Sequence, residues 1–384
     1  MSVIDKKILM IAATPFFSDR GCHIRIYNEI KYLKKEGIDV ILCTYHLENN
    51  IDGFEIKRIK NVSWYKKITP GASWGKLYLD LLLLILSYKE CKKNKPRIIH
   101  AHLYEGLLIA WIVKIFAFSK VKIVFDCQGS LAREMYAYTL HKSILFKPLY
   151  YFFMIVEKLL LYIPNKIFCS SRNSYDFLVS KYKISKETID VLDDGVDTDL
   201  FQSTSYNKDI IKTELEIPKE NMVILYTGSL SEAKGIKELF DEVPNILEKR
   251  ADITFVFAGY GSLEDKYKEI LSNYVKSRNI VFIGRFSYFD LPKYTIIADY
   301  AIDTKKDSSE SSGKLFNYIA GNVPVICFKN EFNYEVLEDT GIYINSFLDI
   351  TNIKIPVKME IKSNKLISWN QIIHKLTQLY LKYN

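Results

Sequence analysis

Three stretches carry residues whose types and spacing could handle a phosphate. In SSESSGKLFNYIAGNVPVIC, Ser308 to Cys327, small polar residues precede Gly313 and an apolar, helix-patterned run. The unpaired N–H groups of a first helical turn, at the positive end of the helix dipole, bind anions, and small residues let a phosphate reach the backbone. A plain cap by Ser311 or Ser312 is the alternative here. In YTGSLSEAKGIKEL, Tyr226 to Leu239, Lys234 and Gly235 stand at a helix start after a Gly-containing turn, where a Lys reaches phosphate as a point charge. FAGYGSLED (257 to 265) adds a third Gly-rich turn but lacks the last Gly of the dinucleotide fingerprint.

Imidazoles and small polar groups cluster at two strand ends in the first half. His100 and His102 end RIIHAH; alternation puts both on one side, and at a C-terminal strand edge that side can be a ligand cleft or plain core. Asp126, Gln128 and Gly129 end the next strand, where Gln128 could meet sugar hydroxyls. Gly21 opens the first helix, either to admit a ligand or as a turn residue. Cys22 and His23 have the types of a nucleophile and base, but adjacent side chains at a helix start point apart. No His, Cys or carboxylate set has metal-ligand spacing in the sequence.

The elements that position these residues alternate. KKILMIAA, DVILCTY, FEIKRI, RIIHAH, VKIVFD, NKIFCSS and TIDVLD read as strands, with helices such as HIRIYNEIKYLKKEG between them, stopped at Gly37. DDGVDTDLFQSTSYNKD (193 to 209) interrupts the pattern as a linker. NMVILYTG, ITFVFAG, NIVFIG, YAIDTK and VPVICF then restart it, and SWNQIIHKLTQLYLKY closes the chain as a helix. Such alternation implies parallel sheets covered by helices, with ligands at the strand C-termini. We expect an α/β protein of two doubly wound Rossmann-like domains facing across a cleft: 1–203, 204–365, and a helix over 366–384 returning toward the first.

Composition narrows the class. With 384 residues, 48% apolar and 26% charged, the chain is that of a globular protein with more than one core. Six scattered Cys read as free thiols in a reducing compartment. The N-terminus has no signal-peptide cleavage pattern, so a cytoplasmic location is expected. LYLDLLLLIL is too short to span a bilayer, and ILFKPLYYFFMIVEKLLLYI carries Lys147, Pro148, Glu157 and Lys158 within the required length, so a buried or interface-lying helix is expected. Basic clusters at 31–37, 57–67 and 91–97 read as a solvated surface or as a contact for an anionic membrane; nucleic acid is not expected.

The ordered series YTGSLSEAKG, FAGYG, VFIGRF and ESSGKLFNYIAGNVPVI, preceded by DRGCHIRIYNEIKYLKKEGIDVIL, RIIHAHLYEG and DDGVDTDLF, resembles the family 4 retaining glycosyltransferases of the GT-B fold over nearly the whole chain. The resemblance implies sugar transfer from a nucleotide-diphosphate donor to an acceptor hydroxyl, at the inner face of a membrane in cell-surface polysaccharide or lipid-linked saccharide synthesis, with no cofactor or metal. It implies catalytic roles for His102, Glu310 and Lys234. Donor contacts would come from Gly21, Gly228, Ser229, Lys234, Gly259, Gly261, Arg285, Ser312, Gly313, Lys314, Leu315 and Asn317, and acceptor-side contacts from Gln128 and Gly129. The chain departs from the pattern at Ser229, where the family has Arg, and at Asn317, where it has the second of two Glu. A silent nucleotide-sugar binder or scaffold is therefore the alternative. A nucleotide-sugar 2-epimerase would need cleft carboxylates, and a nicotinamide dehydrogenase a GxGxxG after the first strand.

Overall fold

A computed structural model describes residues 7–19, 21–68, 73–117, 120–136, 147–202, 205–306, 312–354 and 368–383. The chain forms two compact units: Met1–Asp194 with Trp369–Asn384, and Gly195–Ser368. The chain thus changes unit after Asp194 and Ser368, where the sequence reading drew 203 and 365.

The first unit runs β1 (Ile8–Ala12), α1 (Gly21–Lys35), β2 (Val40–Thr44), β3 (Glu55–Arg58), α2 (Trp74–Asn94), β4 (Ile98–His102), α3 (Leu103–Phe116), β5 (Lys122–Cys127), α4 (Leu131–Met135), α5 (Lys147–Leu160), β6 (Lys166–Cys169), α6 (Arg172–Tyr182) and β7 (Ile189–Val191). Its seven strands are all parallel, in the order β3-β2-β1-β4-β5-β6-β7. Right-handed crossovers place helices by direction of travel: α1 lies on one face, whereas α2, α3, α5 and α6, on connections running the other way, share the opposite face. Leu9, Ile11, Ile99, Ala101, Ile123 and Phe125 point into that second layer, against Leu79 and Leu83 of α2 and Leu107 and Ala110 of α3. Gly106 makes this approach possible, since a Cβ there would stand 2.8 Å from the Ile11 carbonyl oxygen.

The alternate residues of β4, His100 and His102, face the other way, beneath α1 and the last helix of the chain, α15 (Trp369–Tyr383). One face of this sheet is apolar and the other holds a buried polar cluster. The order reverses between β1 and β4, so their C-terminal ends flank a topological switch point, the usual place for a ligand in open α/β sheets.

The second unit contains α7 (Thr198–Gln202), α8 (Lys208–Glu214), β8 (Met222–Thr227), α9 (Ile236–Lys249), β9 (Ile253–Ala258), α10 (Glu264–Ile270), α11 (Ser272–Lys276), β10 (Ile280–Gly284), α12 (Leu291–Thr295), β11 (Tyr300–Asp303), α13 (Gly313–Ala320), β12 (Val325–Phe328), α14 (Glu331–Leu337) and β13 (Ile342–Ile344). Its parallel sheet has the order β10-β9-β8-β11-β12-β13 and buries both faces, with Ile224, Tyr226, Phe255 and Phe257 on one and Val223, Leu225, Val256 and Ala258 on the other. The stretch read as a linker holds the short α7. The half-exposed β13 escapes the sequence reading because three residues show no period. Among the described residues no helix is long and apolar enough to cross a membrane.

Candidate active site

In the second unit the turns after β8, β9 and β10 are fastened to one another. Gly228 N–H donates to Ala258 (2.9 Å), Gly259 N–H to Gly284 (3.0 Å) and Leu230 N–H to Tyr260 (3.1 Å). This zipper demands glycine: a Cβ on Gly259, at φ +151, would lie 1.8 Å from the Gly228 carbonyl oxygen, and one on Gly261 2.3 Å from that of Leu230. Gly228 and Ser229 are exposed at the tip, and Arg285 lies outside with its guanidinium 5.8 Å from the Tyr260 ring.

The Lys-Gly turn is pinned to the neighbouring strand end. Residues Glu232–Lys234 form a single 3-10 turn, and Gly235, at φ +71, lets α9 begin. Thr304 Oγ1 donates to the Lys234 carbonyl (2.6 Å), so the turn after β8 is tied to the end of β11.

Across that end stands α13, the helix expected from the sequence at Gly313. Its Leu315, Phe316, Tyr318 and Ile319 are buried, and the Tyr318 hydroxyl accepts from Thr227 N–H (2.8 Å), which holds the helix over β8. Asn317 and Gly313 lie on the half-exposed side. Ser312 precedes the helix but does not cap it: its hydroxyl is buried and has no hydrogen-bond partner among the described residues. Of the two serines read as possible caps, Ser312 does not cap the helix, and Ser311 lies outside the described residues. Lys314 is less available than its place suggests. Its ammonium lies 2.9 Å from buried Asp303 and 4.3 Å from the centre of the Tyr226 ring. Burial alone would lower its pKa, but Asp303 outweighs that and raises it above the usual lysine value. Lys314 is thus an internal counter-ion. Glu310, the first expected carboxylate, lies outside the described residues.

The first unit assembles a cluster that the sequence hides. Arg25, 3% exposed, donates from Nε and Nη2 to both oxygens of Asp126 (2.8 Å each), from Nη1 to Asp194 (2.8 Å), and to the Leu192 carbonyl (2.9 Å), with Trp369 5.8 Å away. The two carboxylates it hydrogen-bonds are 101 and 169 positions distant, which is why no local motif announces the cluster. His102 Nδ1 lies 3.2 Å from Asp126, and its Nε2 3.6 Å from Glu29. His100 stacks on His102 at 4.5 Å and meets the Tyr380 hydroxyl at 2.7 Å. Gln128 donates to Asp126 at 2.6 Å.

His102 is fully buried within this cluster, and partly exposed Gln128 is its member that reaches the surface. Gly21 is exposed with open space around its Cβ direction, so neither strain nor close packing requires glycine there. His23 is buried on Thr14 (2.6 Å) and Ser18 (2.8 Å), a structural pin and not the base of a Cys-His pair.

Burial raises the pKa of Glu29, the charge of Asp126 adds to this, and among the described residues both its oxygens lack hydrogen-bond partners. Burial would raise Asp126 too, but Arg25 overrides it and leaves that carboxyl far below the usual range. The same packing creates the set whose absence the sequence spacing suggested: one ligand atom each from Glu29, His100 and His102 lie within 4.8 Å of one another. Two ligands on one zinc stand roughly 3.4 Å apart, so this packed cluster would have to contract to grip an ion.

A pH signature follows from the opposite shifts. A carboxyl whose folded pKa is raised supports stability below its unfolded value and loses that support as pH rises through the folded one. Glu29→Gln, which stays neutral and can donate to His102 Nε2, should therefore melt at a higher temperature than the parent near pH 8, the difference vanishing toward about pH 4. Asp126 acts in the reverse sense, its contribution present above its unfolded value and lost on acidification. Thermal melts across this range would expose a wrong assignment as a pH-independent difference.

Comparison with known proteins agrees with this architecture. Residues 207–352 match the family described as Glycosyl transferases group 1, and residues 20–200 that described as Glycosyltransferase Family 4. Spore coat protein SA of Bacillus subtilis (strain 168) is 26% identical over 136 residues, which take in 33% of this chain and only 35% of that relative. Sucrose-phosphate synthase from Thermosynechococcus elongatus superposes with a TM-score of 0.78 at 14% identity over 98% of each chain. Anabaena HepE, solved in complex with UDP and glucose, does so with a TM-score of 0.72 at 15% identity, over 98% of this chain and 99% of that one.

Proposed function

Since the chain belongs to the glycosyltransferases of group 1 and family 4 and has their GT-B fold class, we propose that it transfers a sugar from a nucleoside-diphosphate donor to an acceptor hydroxyl with retention of configuration. The observation that carries the donor side is the start of α13, where among the described residues no side chain caps the helix and the buried hydroxyl of Ser312 has no partner, in the same unit as the interlocked glycine turns and the pinned Lys234. Free N–H groups at a helix start and a lysine ammonium are donors suited to charge developing on a departing phosphate. Without a protein nucleophile in the proposal, that phosphate deprotonates the acceptor on the same face.

The complexes of HepE with UDP make a uridine nucleotide the first donor to try. A lipid-linked or surface saccharide is the acceptor class we favour. Incubation with labelled nucleotide sugars is the test: slow hydrolysis of one of them supports transfer, whereas tight binding without turnover of any would mean a silent binder.

Asn317 offers a finer check. Its side chain, half-exposed on α13, has no partner among the described residues, and the family's carboxylate would accept a ribose hydroxyl more strongly than an amide oxygen. Asn317→Glu is expected to bind UDP about tenfold more tightly, worth about 1.4 kcal/mol. Calorimetry that shows weaker binding would remove Asn317 from the donor site.

A further inference from the structure

The outer surface of the α2, α3 and α5 layer is apolar where a helix of a water-facing layer is usually polar. On α2 the outward positions are Trp74, Leu77, Tyr78, Leu81 and Ile85, at the helical spacing that places them in one stripe, and Trp74 is 90% exposed. The adjoining α3 turns out Leu108, Trp111, Ile115 and Phe116, and α5 turns out Tyr151, Phe152, Ile155 and Leu159. Most of the large exposed apolar side chains of the described chain lie in this one layer.

The charges on these helices are one-sided. Asp80 accepts from Tyr45, Glu90 from Asn94, and Glu105 is paired with Lys76. Glu157 is buried under donors from Tyr104, Ser130, Ala132 N–H and Tyr182. Lys89, Lys92, Lys93, Lys147 and Lys158 stay exposed. These five exposed lysines outnumber the half-exposed acids Asp80, Glu90 and Glu105 of the same helices.

We propose that this face is a docking surface for an anionic lipid bilayer. It lies flat on the interface, with the aromatic and aliphatic stripes in the headgroup and acyl boundary and the lysines over acidic headgroups. Apolar area plus basic charge is the combination that binds such a surface, and Trp and Tyr favour that depth. A second copy fits less well, because an isologous contact would turn the basic fringe onto itself.

The full chain should sediment with vesicles of phosphatidylcholine and phosphatidylglycerol, and about tenfold less with phosphatidylcholine alone. Leu81→Asp with Ile85→Asp, both at exposed positions, should lower binding to the mixed vesicles about tenfold, and Lys89→Glu with Lys92→Glu and Lys93→Glu should do so without altering the apolar stripe. Circular dichroism and the UDP affinity of the same samples report folding and the donor site separately, so failure of the donor reading and failure of this one are distinguishable. The proposal is overturned if the folded parent ignores both vesicles, if its binding is indifferent to lipid charge, or if the chain dimerises in solution through this face and Leu81→Asp with Ile85→Asp makes it a monomer.

Discussion

Lys234→Ala is expected to weaken nucleoside diphosphate binding and to lower transfer together. Truncating one partner of a buried, charge-assisted contact costs about 2 to 5 kcal/mol, which is roughly 30-fold or more in Kd. Turnover should fall further, because the diphosphate carries more charge at the transition state than before it. The fold should survive, since the Lys234 group that ties the turn to Thr304 is a backbone carbonyl, which Ala retains. Gln128→Ala makes the contrast: it sits in the other unit, so it should change transfer and leave UDP affinity alone. Calorimetry beside transfer assays decides, and normal UDP affinity in Lys234→Ala would remove the Lys-Gly turn from the donor site.

Arg25→Ala is expected to be the most destabilising single substitution in the first unit. It strips Asp126 and Asp194 of their shared cation while Asp126 remains buried. Leaving such charges uncompensated costs about 3 to 5 kcal/mol, a drop on the order of 10 °C in the melting of a domain this size. Arg25→Lys should rescue little, because a point-charge ammonium cannot bridge both oxygens of Asp126 and still reach Asp194 and Leu192. A variant with unaltered melting would mean that the cluster contributes no net stability.

All strands but β13 were legible, because buried β-branched runs such as VILCT and IIHAH leave little alternative to parallel β structure. The glycine turns were legible too, since their positions at strand ends suggest close backbone approach. What stayed hidden depends on partners far along the chain. Nothing around Arg25 foretells that Asp126 and Asp194 converge on it, or that Tyr380 reaches His100 over 280 positions. The burial of His102 was hidden for a related reason: period-two alternation tells which face a side chain takes, not whether helices seal that face. The exposed stripe of α2 was masked by its composition, because LYLDLLLLIL looks like core at every position until the packing shows which leucines are used.

The return of α15 has a consequence for the order in which the protein is made. Trp369 and Tyr380 are buried in the first unit, whose other residues end at Asp194, and the second unit occupies the whole interval between. The second unit, unbroken in sequence, can finish while the chain is still emerging from the ribosome. At roughly 5 to 20 residues per second, the first waits on the order of ten seconds or more for its last helix, and through that interval His100 has no Tyr380 and Arg25 no Trp369 above it. The half made first is closed last, so a nascent chain stalled before residue 369 would carry a complete insert inside an unfinished host.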